Sequence, residues 1–136
     1  MLDRLPVKYL LDVNALVALL VSDHEHHDRA ETWVKSLSDR DEVLLCAWTE
    51  MGFVRVALAA RYVADVPTAR KILLGFRAAR ARTGFVNDDR RSQHLPTWVK
   101  THAQVGDGHL LSLAESCGAK LATLDQGIPG EPVVAL

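Results

Sequence analysis

The sequence predicts an α/β fold, a parallel central sheet of four to five strands flanked by helices in a single domain. Short apolar runs at Tyr9-Leu10-Leu11, Val43-Leu44-Leu45 and Leu121-Ala122-Thr123-Leu124 show no alternation, as expected for strands covered on both faces. Segments with helical periodicity separate these runs. Strands alternating with helices imply parallel pairing through right-handed crossovers. A chain of 136 residues falls in the range of one domain, and 49% hydrophobic residues suffice to cover both faces of a modest sheet. No internal repeat or low-complexity linker divides it.

The first strand spans Lys8 to Leu11, and a helix follows from about Asn14. The polar break Asp23-His24-Glu25-His26-His27-Asp28 precedes a second helix, in which Ala30, Trp33, Val34 and Leu37 recur at helical spacing. Glu42 to Cys46 is a second buried strand, leading into the helical pattern Met51, Val54, Leu58 and Tyr62. Pro67 suits a first-turn position and opens a helix carrying Ile72, Leu73 and Phe76. Arg77, Arg80 and Arg82 load its C-terminal end, where cations meet the helix dipole favourably. Gly84-Phe85-Val86 makes a third strand, Asn87 through Pro96 a loop, and a short helix is expected around Trp98. From Gly108 to Cys117 an apolar helical face runs through Leu110, Leu111, Leu113 and Ala114, with Gly118 placed to end it. Lys120 to Leu124 is the fourth strand, and Pro132-Val133-Val134 adds a short edge strand.

A formal net charge of -1 does not advertise nucleic acid, so any basic surface must be local. Cys46 and Cys117 lack zinc or dithiol spacing and read as reduced structural thiols. The longest early apolar run, Ala15 to Val21, is far too short to span a bilayer. No basic segment followed by an apolar stretch and a cleavage site marks the start, so the cytoplasm is the expected location.

Four carboxylates fall where such a sheet gathers ligands. Asp12 closes the first strand, Asp125 the fourth, and Glu50 and Asp107 stand at helix starts beside the same edge. Each has a simpler reading. Glu50 and Asp107 could serve only their helix N-termini, and Asp125-Gln126-Gly127 is an ordinary strand exit. Asp12 resists this best, because its surroundings from Tyr9 to Val21 are apolar except for Asn14, and a buried unpartnered carboxylate costs several kcal/mol. Acids packed together repel unless a cation lies between them, and hard divalent cations prefer oxygen ligands. The set points to a Mg²⁺ or Mn²⁺ site.

The chain resembles PIN-domain ribonucleases of the VapC toxin type. The resemblance rests on Leu11-Asp12-Val13-Asn14, Thr49-Glu50-Met51-Gly52-Phe53-Val54, Gly106-Asp107-Gly108-His109-Leu110-Leu111-Ser112-Leu113-Ala114 and Gly118-Ala119-Lys120-Leu121-Ala122-Thr123-Leu124-Asp125. It implies one PIN domain over residues 1–136. Asp12, Glu50, Asp107 and Asp125 then take the family's four acidic positions, with Asn14 and Thr123 at the supporting polar ones. It further implies RNA cleavage with Mg²⁺ or Mn²⁺, restraint by a co-expressed antitoxin, and a homodimer. Val13 and Gly108 depart from the family, which commonly has Ser, Thr or Ala at the first position and Ala at the second. The segment from Asn87 to Gln104 matches least.

Phosphodiester cleavage needs phosphate charge neutralised, a water made nucleophilic and a leaving oxygen stabilised, all of which a metal ion can supply. The expected function is therefore hydrolysis of RNA by a metal-activated water. RNA must approach an acidic site, so Arg77, Arg80, Arg82, Arg90, Arg91 and Lys100 are candidate phosphate contacts, with Trp48 and Trp98 as candidate stacking groups. Trp33, Trp48 and Met51 suggest amphipathic surfaces for self-association and for an antitoxin segment. His24-Glu25-His26-His27-Asp28 fails zincin spacing and reads as a solvated helix start, while His109 lies near enough to Asp107 to touch substrate. Two alternatives remain. A receiver-like phosphoacceptor domain would use Asp88 or Asp89 with Lys120; a non-catalytic binding module would use its acids only to hold an ion.

Overall fold

The computed structural model describes residues 5–80, 82–130 and 133–136. Its strands are β1 (Lys8–Leu11), β2 (Glu42–Cys46), β3 (Thr83–Val86), β4 (Lys120–Thr123) and β5 (Val133–Ala135), and its helices are α1 (Val13–Leu20), α2 (His27–Ser36), α3 (Ala47–Ala59), α4 (Val66–Ala79) and α5 (Val105–Ser116). The strands pair in parallel in the order β3-β2-β1-β4-β5. Pro132 of the expected edge strand lies outside the described residues.

Strand periodicity divides the core into two layers. Leu11, Val43, Leu45 and Ala122 point to the face covered by α1, α3 and α4, where Phe53 is fully buried. Their neighbours Leu10, Leu44, Cys46 and Leu121 point to the opposite face, against Leu110, Leu111, Leu113 and Ala114 of α5. Apolar runs without alternation thus bury both faces, as they must in a sheet sandwiched between helices. Each buried Leu or Phe side chain contributes about 1.5–3 kcal/mol.

The strand order reverses direction of travel between β1 and β4, which makes that junction the topological switch point, where open α/β sheets bind ligands. Lys8, Glu42, Thr83 and Lys120 lie at the N-terminal edge of the sheet; Leu11, Cys46, Val86 and Thr123 end their strands at the other.

Local caps explain most differences from the sequence expectation. Helix α1 begins at Val13 because Asp12 caps it. Helix α4 begins one residue before Pro67 because Asp65 Oδ1 accepts the Thr68 N–H at 2.8 Å. Glu50 stands fourth in α3 and Asp107 third in α5, so each lies in the first turn rather than opening its helix. Gly118 follows α5 with φ +70°, the left-handed conformation glycine adopts without steric cost. No helix forms at Trp98: short 3-10 turns at Ser92–His94 and His102–Gln104 flank it. Glycine again gives the reason. A Cβ on Gly108 would lie 2.3 Å from Val99 Cγ2 and 3.3 Å from Pro96 Cδ, so this irregular segment packs directly onto the first turn of α5.

Candidate acidic site at the sheet switch point

Asp12 is held from three directions. Its backbone N–H donates to the Ala122 carbonyl at 3.1 Å, tying the end of β1 to β4. Its Oδ1 accepts the Ala15 N–H at 2.8 Å, capping α1, and the Thr123 hydroxyl bonds its carboxylate. Only 4% of the residue is exposed. Burial pushes the Asp12 carboxyl up to about 6, opposed by the bonds from Thr123 and Ala15 and assisted by the charges of Asp107 and Asp125.

Fully buried Thr123 also accepts the Asp125 N–H at 2.9 Å, so one hydroxyl links the Asp12 carboxylate to the backbone of Asp125. Asp125 Oδ1 accepts the Gly127 N–H at 2.7 Å. The strand-exit turn and the place beside Asp12 therefore coexist in one residue. Asp107, partly buried, is likewise raised, by burial first and by Asp125 second. Three carboxylates from the ends of β1 and β4 and the start of α5 thus feel one another's charge.

Glu50 is half-buried in the first turn of α3. Its neighbour Thr49, which sequence reasoning passed over, is fully buried and donates to the Leu11 carbonyl at 3.0 Å, anchoring that turn to the residue before Asp12. Among the described residues no three acidic, histidine or cysteine side chains stand close enough to hold an ion as they are. Asp12, Asp107 and Asp125 form a charge-coupled set rather than the closed cluster of four that their topology suggests, and Glu50 is not coupled to them. An oxygen-only donor set is nevertheless suited to a hard divalent cation, which would displace the proton that burial favours on Asp12.

Asn14 is exposed and lines an open cavity with His24, Glu25, His26, Leu124 and Asp125, bringing the histidine tract beside the acids. His27 turns away, its Nδ1 bonded to the Ala18 carbonyl at 2.9 Å. Arg29, which sequence reasoning also passed over, reaches the Leu124 carbonyl at 3.4 Å, next to Asp125. Arg90 Nε donates to Ser112 Oγ at 3.2 Å, and Arg91 and Lys100 are exposed in the segment joining β3 to α5. Arg77, Arg80 and Arg82 stand apart from the acids. They precede β3 at the N-terminal edge, where Arg80 Nη1 donates to the Asp41 and Arg82 carbonyls. A strand of four residues separates the two edges by roughly 13 Å.

Trp33 is partly buried, meeting Tyr9 edge-on with ring centroids 5.1 Å apart and packing against the core. Trp98 is also partly buried, against the α5 layer. Trp48 and Met51 remain exposed on α3. The receiver-like arrangement does not form: Asp88 is bonded to His109 Nε2, and Lys120 lies at the far edge of the sheet.

A family model described as PIN domain matches residues 9–129. Ribonuclease VapC44 of Mycobacterium tuberculosis is 37% identical over 133 residues, covering 90% of this chain and 89% of that protein. Ribonuclease VapC38 of the same organism is 34% identical over 122 residues, covering 88% and 86%. Ribonuclease VapC29 is 32% identical over 120 residues, again covering 88% and 86%. The PIN-domain match over residues 9–129 spans every element that carries an acid of the site.

Proposed function

The chain belongs to the PIN-domain family, alongside VapC ribonucleases, and on that premise we propose that it is a divalent-metal-dependent endoribonuclease, the toxin of a type II toxin–antitoxin pair. The observation that carries this is the condition of Asp12: a buried carboxyl whose proton is retained to about pH 6, faced by Asp107 and Asp125 at the switch point of the sheet. That charge conflict is resolved by a cation held in common. Asp12, Glu50, Asp107 and Asp125 would hold Mg²⁺ or Mn²⁺. When bound, the ion supplies neutralisation of the phosphate and acidification of a water.

The chain's own residues do the positioning. Thr123 fixes the Asp12 carboxylate and the Asp125 backbone together, and Thr49 fixes the turn that carries Glu50. Asn14 borders Asp125 from the cavity side. Arg29, Arg90, Arg91 and Lys100 offset the repulsion that brings RNA phosphates to an acidic site at a cost. An antitoxin restrains the enzyme, a homodimer is its working form, and the cytoplasm is where its substrate meets it. Among the described residues no helix is long and apolar enough to cross a membrane.

The test is cleavage of a structured RNA across a manganese titration by wild type, Asp12→Asn, Asp107→Asn and Glu50→Gln. Wild type cuts and each variant loses activity by orders of magnitude. Cutting by wild type in excess EDTA, or undiminished cutting by Asp12→Asn, defeats the reading. Light scattering at micromolar concentration reads the dimer directly.

A further inference from the structure

Trp48 is 44% exposed, although it lies five residues from fully buried Phe53 on the same helix. It is not loosely placed. Its ring stacks on His109 with centroids 4.9 Å apart at 39°, and its indole edge lies 3.5 Å from where a Cβ on Gly106 would stand. His109 is itself fixed, its Nε2 bonded to the Asp88 carboxylate, and only 14% of its side chain is exposed. Asp88, Trp48 and His109 come from three separate segments and meet at the first turn of α5, the turn that carries Asp107.

Beside this ring runs a groove on α3. Trp48, Met51, Gly52 and Arg55 recur at helical spacing along one face, and Val13, Ala47 and Asp88 also line it. Met51 is 63% exposed and floors the groove with apolar surface; Arg55 puts an exposed cation one turn further along. A preoriented aromatic face next to a phosphodiester-directed acidic site, followed by a cation, matches the chemistry of an unpaired nucleotide, whose base has an apolar face and whose phosphate carries a charge.

We infer that Trp48, braced by His109 and Asp88, is the stacking surface for an unpaired base of the RNA next to the bond that is cut, with Arg55 as the contact for the phosphate beyond it. The inference rests on the nuclease reading and adds a selection rule to it. Single-stranded or looped RNA is favoured because a base inside a duplex has both faces covered by its stacked neighbours. Trp48 is then a specificity residue and His109 a positioning residue that acts through it.

The experiment titrates wild type, Trp48→Phe and Trp48→Ala with a 5′-labelled single-stranded twelve-residue oligoadenylate and with a ribose-phosphate polymer of the same length lacking bases. Both titrations are read by fluorescence anisotropy in Mg²⁺. In parallel, cutting of pooled random-sequence RNA is followed on gels, and circular dichroism and light scattering report fold and self-association. Stacking is sequence-tolerant and substantial, so Trp48→Ala loses about tenfold in affinity for oligoadenylate while Trp48→Phe keeps most of it. The baseless polymer binds all three alike. His109→Ala weakens oligoadenylate binding in the wild-type background and adds nothing to Trp48→Ala, which a general structural defect would not reproduce. Equal oligoadenylate affinity for wild type and Trp48→Ala overturns the inference. If pooled RNA is still cut in that case, the nuclease reading survives alone; if wild type neither binds nor cuts RNA, both fall. Loss of self-association in Trp48→Ala with unchanged RNA affinity assigns the face to a second copy of the chain and likewise overturns the inference.

Discussion

At the residue scale, ionising Asp12 costs the metal-free fold. Its folded pKa of about 6 lies above the unfolded value near 3.9, so the stability linked to this group is fully present below about pH 3.9 and is lost as pH rises through about 6. A gap of about two units corresponds to about 3 kcal/mol. Asparagine caps helices as well as aspartate and keeps the oxygen that accepts the Ala15 N–H. In EDTA at pH 7.5, Asp12→Asn should therefore melt at or above wild type, and urea titrations should show the advantage vanishing near pH 4. A variant clearly weaker than wild type at pH 7.5 would mean the carboxylate is itself a net structural contributor. Asp41 offers the contrast. It is fully buried, but its two oxygens accept the Val7 and Ser38 N–H groups and pin the chain before β1 to the turn before β2. Asp41→Asn turns an amide donor toward one of those donors and should cost about 1–3 kcal/mol in denaturant unfolding, with cleavage per folded molecule unchanged.

Between elements, α1 and α3 meet where a side chain has been removed. A Cβ on Gly52 would fall 2.4 Å from Val13 Cγ2, so the glycine of α3 accepts the valine that follows Asp12. Gly52→Ala should lose about 1–3 kcal/mol through overpacking. Val13→Ala in the same chain should recover most of that loss, and a double-mutant cycle by thermal melts reads the coupling. Additive effects would show that the two helices separate without involving this pair. Val13 and Gly108, the two departures from the family pattern, thus have the same physical basis: each belongs to a valine–glycine contact, Val13 with Gly52 and Val99 with Gly108. Gly108→Ala should displace the segment around Pro96 and Val99 from α5 and lower the melting temperature.

For the whole molecule, burial and neighbouring carboxylates raise the pKa of Asp12 on β1 and of Asp107 on α5, so a cation that relieves them should stabilise the entire domain. Binding to the native state alone adds about 2.7 kcal/mol at a concentration of 100 Kd. Millimolar Mn²⁺ should therefore raise the melting temperature of wild type and do so less for Asp12→Asn or Asp107→Asn. A wild-type melting curve unmoved by Mn²⁺ would show that the four acids do not hold the ion.

The sequence by itself determined the layered sheet, its strand composition and three of the acids that share a charge field. These follow from local signals: apolar runs without alternation at Leu10, Leu44 and Leu121, helical spacing between them, and Asp12 interrupting an apolar segment. Tertiary structure alone decided which cations share the acids' edge of the sheet. Arg82 and Arg90 are eight residues apart in the chain, yet β3 carries one to each edge of the sheet. It also decided that Thr123 joins Asp12 to Asp125, that Gly52 and Gly108 admit valines, and that His109 meets Asp88 against Trp48. Periodicity reports which face of an element is buried. It carries no record of which partner lies across that face, because that depends on strand order and on close approaches between segments far apart in the chain.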